Sequence, residues 1–116
     1  MNINGHLKKA NEIKRSLNKL LPDPKGENVI AVVELIYGVL IHLIAFGMEK
    51  RYQRHIDTHV GLPKELRKVG ENEIAEIFEE IDTFRAGRWY GAKGNGEIVK
   101  RSLNCLEKVE IWAREK

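Results

Sequence analysis

At 116 residues the chain has room for one domain and one hydrophobic core, so residues 1–116 are read as a single unit. Its one cysteine, Cys105, excludes an internal disulfide, fits a reducing cytoplasm, and reads as a small core filler on a helix rather than a catalytic thiol. Basic residues number 20 against 17 acidic ones, a net charge of +3 that does not by itself demand nucleic acid.

The charges are unevenly placed. Lys8, Lys9, Lys14, Arg15 and Lys19 fall on the first predicted helix, Lys50, Arg51 and Arg54 form a second basic group, and the stretch from Glu71 to Asp82 is acidic. Solvated faces of amphipathic helices account for most of this, with a weak polyanion-binding face as the other reading.

Ile3, Leu7, Ala10, Ile13, Leu17, Leu20 and Leu21 recur at steps of three and four, which predicts a helix with one apolar stripe. Pro22 and Pro24 stop it, because proline lacks the amide proton and clashes with the preceding turn. A second helix is expected from Glu27 or Asn28 to Arg54 or His55. The run from Val29 to Phe46 is apolar except at Glu34, Tyr37, Gly38 and His42, and is close to the minimum length for a bilayer. Its ionisable residues, and the want of a second hydrophobic span, favour a buried central helix over a membrane span. A helix apolar almost all round needs cover, and a second copy of the chain is the simplest expected source. The polar end, Glu49 to Arg54, is expected to project beyond the core.

Gly61 and Pro63 mark a break, and Pro63 to Val69 is read as a short helical turn ended by Gly70. A third helix is predicted over 71–86, with Ile74, Ile77, Phe78, Ile81 and Phe84 inward. After a loop containing Gly87, Gly91, Gly94 and Gly96, a fourth runs over 96–114, with Val99, Leu103, Leu106, Val109 and Trp112 or Ala113 inward. No segment alternates with period two, so no strands are expected. The predicted fold is all-α: an antiparallel up-down four-helix bundle. No signal peptide is expected, since the N-terminus is polar and helical in pattern.

Four groups of residues have the chemistry for a site. His55 and His59, with Asp57 between them, have metal-ligand spacing on a helix but lack a third ligand, so neither a metal nor another cofactor is expected. His42, on an apolar face, is read as a buried histidine satisfied by a neighbouring hydroxyl or carboxylate, with Glu34, two turns away on roughly the same side, helping through a partner. Arg54 and His59 combine a phosphate-gripping guanidinium with a proton-transfer group, enough for metal-independent RNA cleavage. Arg85, Arg88 and Tyr90, with Trp89, put arginines beside aromatic rings, a pairing that suits phosphate and a stacked base. Lys93 and the glycines up to Gly96 are read mainly as a turn, with an anion cradle as the alternative.

The order of these pieces resembles the HEPN domain, the nucleotide-binding helical domain of higher eukaryotes and prokaryotes. An apolar helix holds Tyr-Gly-x3-His (Tyr37, Gly38, His42), a His-x-Gly loop follows (His59, Gly61), then a helix ending in Arg-x4-Tyr (Arg85, Tyr90), then a last amphipathic helix. The resemblance covers roughly Glu27 to Arg114. It implies a dimeric helical bundle, often encoded beside a minimal nucleotidyltransferase, and many members are ribonuclease toxins using Arg-x4–6-His in the cleft between protomers. This chain departs from that pattern: Arg85 is followed by Tyr90, and no histidine occurs after His59.

The expected function is therefore a homodimeric binding module for a nucleotide or RNA, or a partner of a nucleotidyltransferase, with Arg85, Arg88 and Tyr90 as the contacts. The enzymatic alternative is a metal-independent endoribonuclease, a HEPN-type toxin using Arg54 and His59. A purely structural helical dimer is the third reading.

Overall fold

A computed structural model describes residues 2–56, 60–87 and 94–115. Within them the fold is all-helical. Five helices follow one another: α1 (Ile3–Asn18), α2 (Val29–Tyr52), α3 (Leu62–Lys68), α4 (Asn72–Gly87) and α5 (Asn95–Arg114). The short α3 is the helical turn expected before Gly70.

Local chemistry sets the ends. Asn2 caps α1, its side-chain oxygen accepting the Gly5 amide at 2.7 Å. Asp23 is buried in the connection that follows, where its two carboxylate oxygens accept the amides of Glu27 and Asn28, each at 2.9 Å. That ties down the two residues leading into α2. Gln53 closes α2 in the left-handed conformation, and Gly61, also left-handed at φ 77°, precedes α3.

Helix α2 is the hub, packed against α1, α4 and α5, while α3 packs on α4. Its Val32, Val33, Ile36, Leu40, Leu43, Ile44 and Met48 are essentially sealed from solvent. Burying each such side chain stabilises the fold by roughly 1.5–3 kcal/mol before chain entropy is subtracted. Ile30 is the only exposed large hydrophobic side chain of α2. The cover expected from a second copy is thus largely supplied by the chain's own helices. By length and composition α2 would also suffice to cross a bilayer, though 56% of its most apolar stretch is buried inside the fold.

The end of α2 does not project freely, as its polar composition had suggested. Lys50 donates to the carbonyls of Ala113 (3.3 Å) and Glu115 (2.7 Å), and Arg51 to that of Trp112 (2.6 Å). These carbonyls lie in and just beyond the last turn of α5, where cations are well placed. Beneath them Gly47 lets the Trp112 ring lie directly on the α2 backbone: a Cβ there would meet ring carbons at 2.4 and 2.6 Å.

Candidate functional site

Helices α2 and α4 build the site. Tyr37 lies on the buried side of α2, where the ring of Phe78 from α4 stacks on it with centroids 5.4 Å apart. Two turns further along α4, at its last turn, the Arg85 guanidinium sits over the Tyr37 ring, 4.3 Å from its centroid. Glu34, one turn before Tyr37, accepts a hydrogen bond from Arg85 Nε at 2.8 Å. Asp82, one turn before Arg85, has a carboxylate oxygen 3.9 Å from Nη1.

The electrostatics follow from this packing. Burial, reinforced by the nearby Asp82 and Glu34 carboxylates, pushes the Tyr37 phenol up and outweighs the opposing pull of Arg85, so the ring stays neutral. The Glu34 hydrogen bond, helped by the surrounding negative groups, holds the Arg85 guanidinium firmly protonated. Nε is committed to Glu34, while the side chain keeps 37% of its surface exposed. The arrangement is a fixed cation on an aromatic ring, with carboxylates of Glu34 and Asp82 beside it.

Two motifs far apart in sequence thus meet in space: Tyr37 from the Tyr-Gly-x3-His stretch and Arg85 from the Arg-x4-Tyr stretch. Arg88, Tyr90 and His59 lie outside the described residues. Arg54 is exposed in the connection after α2, with Glu65 3.5 Å from its Nη1. It stands beyond the far end of α2 from Glu34, roughly 25–30 Å along the helix axis at about 1.5 Å per residue. The fold therefore does not bring Arg54 to the Arg85 site within one chain.

The histidines make a separate group. His42 does not turn to Glu34, which Arg85 occupies. Its Nδ1 lies 3.0 Å from the Nδ1 of His6, a buried residue of α1. The His55 ring is also close to His6, with centroids 6.4 Å apart. Desolvation pushes the His42 imidazole below its ordinary value, with the His6 and Lys9 charges acting in the same direction. Among the described residues, no three of His, Cys, Asp or Glu are placed to hold a metal ion. His6 and the Glu34–Arg85 pairing were both missed in the sequence. An imidazole at an apolar-stripe position was the available signal for the first; nothing local signals the second.

Comparison with protein-family models, curated proteins and solved structures gave no match.

Proposed function

We propose that the chain is a HEPN-like helical module that binds a nucleotide or RNA in the cytoplasm, or pairs with a minimal nucleotidyltransferase, without catalysis of its own. The observation that carries this reading is the Arg85 guanidinium over the Tyr37 ring, which joins two of the motifs behind the resemblance. Arg88 and Tyr90, a few residues on, would complete a set of contacts for phosphate and base. The antiparallel four-helix bundle belongs to the same proposal. In its support, α1 meets α2 at His6–His42, α2 meets α4 at Glu34–Arg85 and, through Tyr52–Glu71, the residue just before α4, and α4 meets α5 at Glu80–Arg101. The homodimer rests on the resemblance, because α2 finds most of its cover within its own chain.

Isothermal titration of wild type and Arg85→Ala with ATP, other nucleotides and short RNA tests the reading. Binding by wild type, weakened about tenfold or more on loss of a charge-assisted hydrogen bond, is the expected result. No heat beyond dilution from any of these ligands would leave only the protein-partner version. RNA cleavage in EDTA that is lost in both His59→Ala and Arg54→Ala would replace the proposal with the ribonuclease reading. A strictly monomeric species in light scattering at micromolar concentration would remove the homodimer.

A further inference from the structure

The outer face of α1 and the groove at its C-terminal end form a second polar and basic surface, built from residues other than those around Arg85. Residues 3–19 hold five basic side chains and one acid, Glu12, a surplus of four against a net charge of +3 for the whole chain. The positive charge of the molecule is therefore concentrated on this element. Lys9 is paired with Glu12 and Lys14 with Glu110. Lys8, Arg15 and Lys19 are exposed and have no ion-pair partner among the described residues. Elsewhere Arg51, Arg54, Arg67, Arg85 and Arg101 each face a carboxylate, while the exposed Lys25, Lys64, Lys100, Lys108 and Arg114 have no ion-pair partner among the described residues but are scattered over other elements. Steps of seven and three place Lys8, Arg15 and Asn18 along one stripe of the helix, with Lys19 beside it.

That stripe leads into a groove of about 720 Å³ between the 19–28 connection and the first half of α5. Leu21, Pro22, Val99 and Leu103 give it an apolar floor, and Asn18, Asn104 and Lys100 stand among its polar lining. Its one acid, Asp23, has both carboxylate oxygens turned into backbone amides. The groove is preformed, because glycines bring its walls into close contact. A Cβ on Gly96 would come 2.1 Å from the Pro24 carbonyl oxygen, and one on Gly26 would come 2.3 Å from the Asn95 backbone.

We infer that this surface binds single-stranded nucleic acid, with the phosphodiester chain along Lys8, Arg15 and Lys19 and one base in the groove, its edge read by Asn18 and Asn104. An apolar pocket with a few placed amides suits a base, and an unneutralised basic stripe suits the backbone beside it. The inference rests on the nucleic-acid reading above and assigns it to a different set of residues.

Fluorescence anisotropy with labelled ten-residue RNA homopolymers, and DNA of matching sequence, tests it. Wild type is expected to bind, with affinities that differ among the four bases. Arg15→Glu/Lys19→Glu should weaken binding about tenfold or more and lower the salt slope by about 0.7 for each phosphate no longer neutralised. Asn18→Ala/Asn104→Ala should leave the salt slope intact while the differences among bases collapse. Both pairs are exposed, and circular dichroism checks that the variants fold. Equal binding of all four homopolymers by wild type, or equal competition by poly-glutamate, overturns the inference by reducing the surface to charge alone. RNA binding lost in Arg85→Ala but kept in Arg15→Glu/Lys19→Glu overturns it and leaves the Arg85 reading standing. No binding of any oligonucleotide, with a mononucleotide still bound, also overturns it alone; no binding of either overturns it and leaves only the protein-partner version of the proposed function.

Discussion

His6 of α1 and His42 of α2 share a hydrogen bond between their Nδ1 atoms, 3.0 Å apart. One ring must supply the proton and the other the lone pair, so the pair cannot survive with both imidazoles charged. His42 is held below its usual value of 6.5, by burial first and then by the His6 and Lys9 charges. The unfolded chain therefore takes up the proton more readily than the folded one. The stabilising contribution is fully present above about pH 6.5 and is lost as pH falls from there through the lowered folded value. Wild type should accordingly show a lower urea midpoint at pH 5.5 than at pH 8. His42→Leu should remove the part of that slope due to His42 and cost about 1–3 kcal/mol at pH 8, because the buried His6 nitrogen loses this partner. An unchanged slope in the variant would count against the pair as the source.

The contact of Gly47 with Trp112 predicts an unusual response to alanine. In an exposed helix interior, Gly→Ala gains about 0.8–1.0 kcal/mol. Here the added methyl would stand 2.4 Å from a ring that is itself buried and covered by the Arg51 guanidinium. Overpacking of this kind costs about 1–3 kcal/mol, so Gly47→Ala should be destabilising on balance. Gly38→Ala is the matched control. Its Cβ would meet Ile13 at an ordinary 3.4 Å, and it should be neutral or slightly stabilising in thermal melts. Equal melting temperatures for the two variants would contradict the packing described here.

Arg51 has a double attachment at the end of α5, to the Trp112 carbonyl at 2.6 Å and the Glu115 carboxylate at 3.1 Å. Hydrogen bonds from a charged donor contribute about 1.5–3 kcal/mol, so Arg51→Met, which keeps an apolar stem against Trp112, should lower stability within that range. Amide hydrogen exchange should speed up in the last turn of α5 before the rest of the helix responds. Uniform acceleration along α5 would mean that Arg51 acts through packing alone.

Much of this architecture was legible in the sequence because it follows from periodicity. The three- and four-residue steps of Ile74, Ile77, Phe78 and Ile81 located the buried face of α4, and Pro22, Gly61 and Gly70 marked real breaks. What could not be read was pairing between helices. Which groups Glu34 and His42 each meet depends on the rotation of α2 against its neighbours, and spacing within one helix does not give that. The same ignorance made α2 look over-apolar. Its circumference was visible, but not that α1, α4 and α5 all pack on it. For the candidate site, Arg85 and Tyr37 were each singled out, but only the fold brings them to 4.3 Å.

That contact gives the last prediction. Glu34 holds Arg85 Nε at 2.8 Å on a partly exposed surface, so its carboxylate both orients the guanidinium and competes with any phosphate for it. Exposed ion pairs contribute little to folding, and Glu34→Gln should leave the melting temperature nearly unchanged. Glutamine keeps an oxygen that can accept from Nε but removes the competing negative charge. If Arg85 grips phosphate, the variant should bind a nucleotide several-fold more tightly than wild type, with the gain shrinking at high salt as screening reduces the wild-type repulsion. Glu34→Ala removes the orienting bond as well, so its gain should be smaller. Weaker nucleotide binding in Glu34→Gln than in wild type, with the fold intact, would assign Glu34 and Arg85 to a structural tie between α2 and α4 instead.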